Sequence, residues 1–269
     1  FLRETERSLD LGLVADPAAA NIGFEDYVDI WLANADHLRP KTASDYASII
    51  GNHLVPALGS IPLGRIRPQH GTDLVGMLRE RGLAGSTINK VIRLANTVLN
   101  AAVAEQRLQT NPFAHVKRPP EERRELRILT PAELSSLLGH LDEHYRCFVL
   151  TAAVTGLRFG ELAGLRPQSI DLERHRILVV EQLTKGPSGP VRGPLKTRAS
   201  QRSVAIPDQL ATELKRQLDH RSTDGYAFPS RRGTPLRHSN FLRRHWAPAV
   251  RDAGLGRVRF HDLRHAAAT

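Results

Sequence analysis

The sequence predicts a mainly α fold with one small β-sheet: an all-helical first half, a basic proline-bearing linker, and a mixed α+β second half. Three observations carry this expectation. Apolar residues recur at helical spacing through most of the chain, and strand-like runs are confined to residues 177–183 and 203–206. A charged run containing Pro119 and Pro120, residues 116–124, separates the two halves. The length of 269 residues suits about two domains at roughly 150 residues each. The expected division is a lead-in over 1–22, a helical domain over 23–115, a linker over 116–128 and a mixed domain over 129–269.

The lead-in is polar and alanine-rich, ends at Asp16-Pro17, and reads as a helix followed by a linker. The chain begins at Phe1 rather than Met, so its natural N-terminus is expected to be missing. Phe24, Tyr27, Val28, Trp31 and Leu32 predict the first helix, which Arg39-Pro40 ends. A second starts near Lys41-Thr42, carries Tyr46, Ile49, Ile50 and Leu54 on one face, and closes at Leu58-Gly59. A third spans 69–81. The fourth starts at Gly85-Ser86 and has an apolar stripe of Ile88, Val91, Ile92, Ala95, Val98, Leu99 and Ala102. Asn89, Arg93, Asn96 and Asn100 form a second stripe on it. That stripe suits contact with phosphates and base edges, and equally a plainly solvated face.

In the second half, Thr130-Pro131-Ala132-Glu133 combines a threonine cap, proline at the first helical position and glutamate at the third. Further helices are expected over 145–154, 159–165, 208–220, 238–252 and from His261 onward. A Gly/Pro/Lys-rich loop is expected between the two strands.

The net charge of +10 and pI near 10.4 point to an anionic partner, nucleic acid before an acidic membrane surface, or to a soluble protein that is merely basic. No apolar run approaches the roughly 18 residues of a membrane span. The lone Cys147 lies in an apolar stretch and reads as core filler. It leaves no intrachain disulfide, which fits a reducing cytoplasm.

Three segments bear on chemistry: Thr155-Gly156-Leu157-Arg158-Phe159-Gly160-Glu161-Leu162, Leu195-Lys196-Thr197-Arg198-Ala199-Ser200-Gln201-Arg202, and His261-Asp262-Leu263-Arg264-His265. Each alone is weak. In this order, in the second of two basic domains, they resemble the active-site boxes of the tyrosine recombinase (phage integrase) family. Thr42, Tyr46, Leu58-Gly59, Thr87-Ile88-Asn89 and Asn111-Pro112 extend the resemblance to that family's helical core-binding, SAM-like domain. It covers nearly all the chain from about Gly23, and the lead-in resembles the coupling segment that follows an arm-binding domain in phage-type integrases.

The resemblance implies site-specific recombination or integration of DNA through a 3′-phosphotyrosyl intermediate, with no cofactor, ATP or metal. Arg158 and Arg264 match the family's arginine pair, and two always-charged planar guanidiniums suit the charge that builds on the non-bridging oxygens of an attacked phosphodiester. Lys196 matches the general acid that protonates the leaving 5′ oxygen, with Lys185 as the alternative. His261, one turn before Arg264, can face the same phosphate. Glu161 matches an acidic position that orients Arg158, and His265 reads as structural support or direct contact. The residues expected to touch DNA are Lys41, Thr42, Asn89, Arg93, Lys117, Arg118, Arg198 and Arg202, with Arg231, Arg232 and Arg243 behind them.

The implied partners are double-stranded recombination-site DNA, a tetramer on paired sites with a monomer or dimer per site, and an accessory DNA-bending protein. The family's pattern continues past His-x-x-Arg to a nucleophilic tyrosine. Tyr27, Tyr46, Tyr145 and Tyr226 all precede His261, so the expectation is a fragment that binds DNA and is cleavage-inactive. Two alternatives stay open: a non-catalytic DNA-binding regulator and a type IB topoisomerase. His261 and His265 share the i, i+4 spacing of a zinc-protease helix, but Asp262 stands where that chemistry prefers glutamate and no third ligand follows.

Overall fold

The computed structural model describes residues 19–121, 127–186, 189–195, 201–219 and 225–266. The chain divides into two compact units, Phe1–Arg124 and Glu125–Thr269. The expectations for residues 1–18, for Lys196 and for Arg198 lie outside the described residues.

The first unit is helical. Helix α1 is Phe24–Ala33 and α2 is Pro40–Ile49; a π-turn, Ile50–Leu54, leads into α3, Val55–Leu58. Pro56 explains that widening. It has no N–H to give the carbonyl four residues back, Asn52, and the Arg81 guanidinium donates to that oxygen instead at 3.3 Å. Helices α4, Pro68–Glu80, and α5, Gly85–Ala104, complete the unit. The apolar stripe expected on α5 is buried as expected, against Phe24, Tyr27, Leu54, Leu74, Leu78 and Phe113.

The second unit opens with α6, Pro131–His140, whose start carries the expected reciprocal cap between Thr130 and Glu133. It continues with α7, Glu143–Thr155, and α8, Phe159–Gly164. Among the described residues five strands follow: β1, Ile170–Asp171; β2, Arg176–Val179; β3, Glu181–Lys185; β4, Pro190–Pro194; and β5, Arg202–Ala205. The order β1-β2-β5 makes one antiparallel sheet, with Ile177 opposite Val204, and β3-β4 makes a separate hairpin with Leu183 opposite Arg192.

This differs from the expected single strand over 177–183 and single sheet. The chain leaves one sheet at the exposed Val180 and enters the other. Two short sheets sharing one apolar run cannot be told from one strand by periodicity, because each buries the same side-chain types. Part of the expected Gly/Pro/Lys-rich loop is β4.

The remaining elements among the described residues are α9, Asp208–Leu218; α10, His238–Phe241; a second π-turn, Leu242–Trp246; α11, Ala247–Asp252; a 3₁₀ turn, Phe260–Asp262; and α12, Leu263–Ala266. The second π-turn also stands before a proline, Pro248, for the same reason as the first. The core of this unit is aromatic. Phe148 of α7 meets Phe159, Phe228, Phe241 and Phe260 at centroid separations of 5.2–5.5 Å. Phe260 thereby anchors the turn carrying His261 and Arg264 to the helix that ends beside Arg158. No described helix is long and apolar enough to cross a membrane.

Candidate active site

The site begins where α7 stops. Gly156 ends that helix with φ of 63°, the left-handed region that a side chain disfavours. The turn Gly156-Leu157-Arg158 then starts α8. Gly160 and Gly164, one turn apart on α8, let β3 come close: a Cβ on Gly160 would stand 2.5 Å from the Leu183 carbonyl oxygen. The arginine turn is thus held against the β3-β4 hairpin by backbone contact.

Glu161 lies beneath this turn, its side chain only 2% exposed. Its carboxylate accepts from the Arg158 main-chain N–H at 2.9 Å and from the Arg158 guanidinium at 2.8 Å. The Arg202 guanidinium on β5 donates to both carboxylate oxygens, at 2.8 and 3.3 Å. Burial pushes the Glu161 pKa up, but the bonds from Arg202 and Arg158 outweigh it and hold the group at about 2. The Arg158 side chain is 53% exposed, so its guanidinium reaches solvent while tied at one nitrogen.

Arg264 is brought to the same turn from the far end of the unit. Its guanidinium donates to the Gly156 carbonyl oxygen at 2.6 Å, across 108 residues of sequence. The preceding 3₁₀ turn is braced by Asp262, a buried carboxylate that accepts from the Arg259 main chain and guanidinium. His261 is exposed and His265 half-buried, their rings edge to face with centroids 5.8 Å apart. His261 is partly desolvated by its surroundings. That, with the charges of His265, Arg264 and Arg259, lowers its pKa and favours the neutral ring at pH 7.

Arg158, Glu161, His261, Arg264 and His265 therefore belong to one neighbourhood of the second unit. Lys196 lies outside the described residues, and Lys185 is the last residue of β3. No group of three or more metal-ligating side chains occurs among the described residues.

Several expected DNA contacts have internal partners. Arg202, expected to face DNA, is the main charge partner of Glu161; the alternation on β5, which half-buries Arg202 with Val204, is the signal that was available. Asn89 is a correction. It is 6% exposed, and its amide donates to the Pro119 carbonyl and to Glu121. Asn96 and Asn100 accept from Asn111 at 2.8 and 2.7 Å. The amide stripe of α5 thus ties down the segment over 111–121, because half-buried amides need partners that solvent cannot supply.

Within the described part of the expected exposed linker Pro119 alone is buried and a Cβ on Gly85 would stand 2.4 Å from the Pro120 oxygen, while Pro120 and Glu121 are exposed. Lys117 and Arg118 stay exposed. Arg93 is exposed and pairs with Glu121 at 3.0 Å. Lys41 is exposed and pairs with Asp45 at 2.7 Å, a surface contact of small worth, and Thr42 is half-buried. Arg231 pairs with Asp142 at 2.6 Å, while Arg232 and Arg243 are exposed.

Each of the four tyrosines packs against neighbours within its own unit. Tyr27 is fully buried and Tyr46 stacks on Trp31, both in the first unit. Tyr145 is buried against Phe241, His144 and His245, and burial raises its pKa. Tyr226 is half-buried with the Arg192 guanidinium 5.0 Å over its ring.

Residues 127–269 match the phage integrase family, and residues 23–78 match the phage integrase N-terminal SAM-like domain. The chain belongs to the phage integrase family of tyrosine recombinases. Membership places it in a class of enzymes for site-specific DNA recombination. It is 31% identical over 266 residues to an integrase of Mycobacterium phage D29, covering 94% of this chain and 68% of that protein. It is 26% identical to the ICEBs1 integrase of Bacillus subtilis, covering 91% of this chain and 70% of that one.

Among solved structures, the Tn1549 transposon integrase in complex with a circular intermediate DNA superposes with a TM-score of 0.81 at 19% identity, over 91% of this chain and 85% of that one. A lambda integrase tetramer bound to a Holliday junction gives 0.70 at 22% identity, over 97% and 72%. These two likenesses concern the fold, which in all three is α-rich with small sheets.

Proposed function

We propose that this integrase-family chain binds double-stranded recombination-site DNA and carries the phosphate-activating part of a strand-transfer site. In this reading residues 23–115 form the core-binding domain, 116–128 the linker and 129–269 the catalytic domain. Arg158 and Arg264 hold the non-bridging oxygens of the scissile phosphate. Glu161 orients Arg158, neutral His261 exchanges a proton at the phosphate, and His265 supports it. Lys196 protonates the leaving 5′ oxygen.

The observation that carries the reading is the bond from Arg264 to the Gly156 carbonyl. It gathers two arginines, 106 positions apart in sequence, on one solvent-facing turn. Two guanidiniums on one turn suit the charge of a pentavalent phosphorane. A non-catalytic DNA-binding regulator has no need of such a pair.

The reaction further needs an attacking tyrosine, and the surroundings of Tyr27, Tyr46, Tyr145 and Tyr226 argue against each. In this reading none of the four is the nucleophile, and residues 1–269 alone are cleavage-inactive. By analogy with the DNA-bound relatives, the active assembly is a tetramer on paired sites, one or two protomers per site. An accessory bending protein and a bacterial cytoplasmic or nucleoid setting complete the reading.

The test begins by selecting bound duplexes from a randomised library with residues 1–269. Cleavage of a nicked version of the recovered site is then assayed with this chain and with one extended past Thr269. A covalent protein–DNA adduct is expected from the extended chain alone, abolished by Arg264→Ala. An adduct formed by residues 1–269 would overturn the assignment of the nucleophile. Failure to recover any duplex would overturn the reading as a whole.

A further inference from the structure

The first unit contains an open groove of about 1600 Å³ between α4 and the segment that follows α5. Its lining includes Arg65, Arg67, Arg79, Arg107, Lys117 and Arg118. These are six cationic residues among 22, with no aspartate or glutamate, in a chain that carries 38 lysines and arginines against 28 acidic residues. Chance composition would place about two carboxylates there.

The charges are presented in two ways. Arg67 and Arg107 are held in place: Arg67 donates to the Gly64 and Ile66 carbonyls at 2.8 and 3.1 Å, and Arg107 lies over the Tyr27 ring and pairs with Glu105. Arg65, Arg79, Lys117 and Arg118 are exposed and make no ion pair among the described residues. Such a wall, partly pre-set and with four of its six cations unpaired among the described residues, has the chemistry of a polyanion site.

Continuity decides which polyanion. A smaller hollow of about 330 Å³ is lined by Arg93 and Asn96 of α5 and shares His115, Val116 and Arg118 with the groove. The linings therefore connect the exposed side of α5, through the segment 113–118, to Arg65 in the turn before α4 and Arg79 in the last turn of α4.

We propose that this groove is a second phosphate-gripping surface, in which Arg65 and Arg79 hold the sugar–phosphate backbone of duplex DNA beyond the contacts made by α5. The inference rests on the DNA-binding reading above and extends it to residues that neither the sequence motifs nor the active site involve. An acidic protein segment is the competing occupant, and it would leave DNA affinity indifferent to these arginines.

The experiment measures affinity of the 269-residue chain for a random-sequence duplex as a function of salt, in wild type, Arg65→Ala/Arg79→Ala, Arg65→Lys/Arg79→Lys and Gly76→Glu. Gly76 lines the groove from α4, and a Cβ there meets nothing within 4 Å, so the glutamate adds an opposing charge without a clash. Loss of two phosphate contacts should flatten the log–log salt slope by about 1.8, from about 0.9 per contact. The double lysine variant should keep the slope, and Gly76→Glu should weaken binding at least tenfold with an unchanged melting temperature.

Wild-type binding with unchanged slope and affinity in the double alanine and Gly76→Glu variants overturns the groove assignment and leaves the DNA-binding reading standing. That holds also if the same variants lose binding to polyglutamate, which would make the partner an acidic protein. No binding of wild type to any duplex removes both.

Discussion

Replacing Glu161 by glutamine removes one negative charge from under two guanidiniums and keeps the shape of the side chain. The carboxylate is buried and held at about 2 rather than the ordinary 4.5, and a depression of that size corresponds to roughly 3 kcal/mol of folding free energy. Arg158 is half-exposed and contributes the smaller share because solvent screens it. The 30%-exposed Arg202 and the Arg158 main-chain N–H contribute the rest.

The sign follows from the direction of the shift. The native state holds the carboxylate ionised, so the stabilisation is fully present above the unfolded pKa of about 4.5 and is lost as pH falls toward about 2. Glu161→Gln should therefore lower the melting temperature of the second unit by about 6–12 °C at pH 7. The gap should close steadily below pH 4.5.

Trp246 is buried in that unit and Trp31 lies in the other, so a Trp31→Phe background isolates the transition by fluorescence. Measurements of both proteins from pH 3 to 8 give the full comparison. A variant as stable as its parent at pH 7, or a gap that ignores pH, would refute the view that the carboxylate's charge holds the arginine turn.

Three further outcomes are expected. In a chain extended past Thr269, Lys196→Ala should be slowed about 10²–10⁴-fold on ordinary DNA and largely rescued by a 5′-bridging phosphorothioate, whose thiolate leaves without a proton; Arg158→Ala should stay slow on both, and rescue of Lys185→Ala instead would move the acid to Lys185. Trypsin should cut after Lys117 in free protein, Arg118 being shielded by the proline that follows it, and be blocked by bound duplex, as read by mass spectrometry of the fragments; equal cutting in both would detach this segment from DNA. Gly160→Ala should destabilise the second unit by about 1–3 kcal/mol in urea, because its Cβ meets the Leu183 carbonyl and overpacking costs that much; an unchanged midpoint would mean β3 is free to move.

The sequence by itself determined what depends on near neighbours. The Thr130 cap, the α5 stripe and most helix positions follow from side chains three or four apart, and such rules need no knowledge of the rest of the chain. The three boxes around Arg158, Lys196 and Arg264 were legible because their spacing within each box is local, which also sufficed to recognise the family.

The tertiary structure alone decided which polar groups have partners. Asn89 and Arg93 sit one turn apart on α5 and read alike, yet Asn89 is enclosed by Pro119 and Glu121 while Arg93 remains at the surface. Arg202 looked like one more surface cation until β5 paired with β2 and set it against Glu161, 41 residues earlier in the chain. Val180 could not reveal that the strand changes sheets, and Gly156 could not reveal that its carbonyl receives Arg264. A buried polar group must be satisfied by whatever the fold brings within about 3 Å, and that partner is fixed by chain paths that no local spacing records.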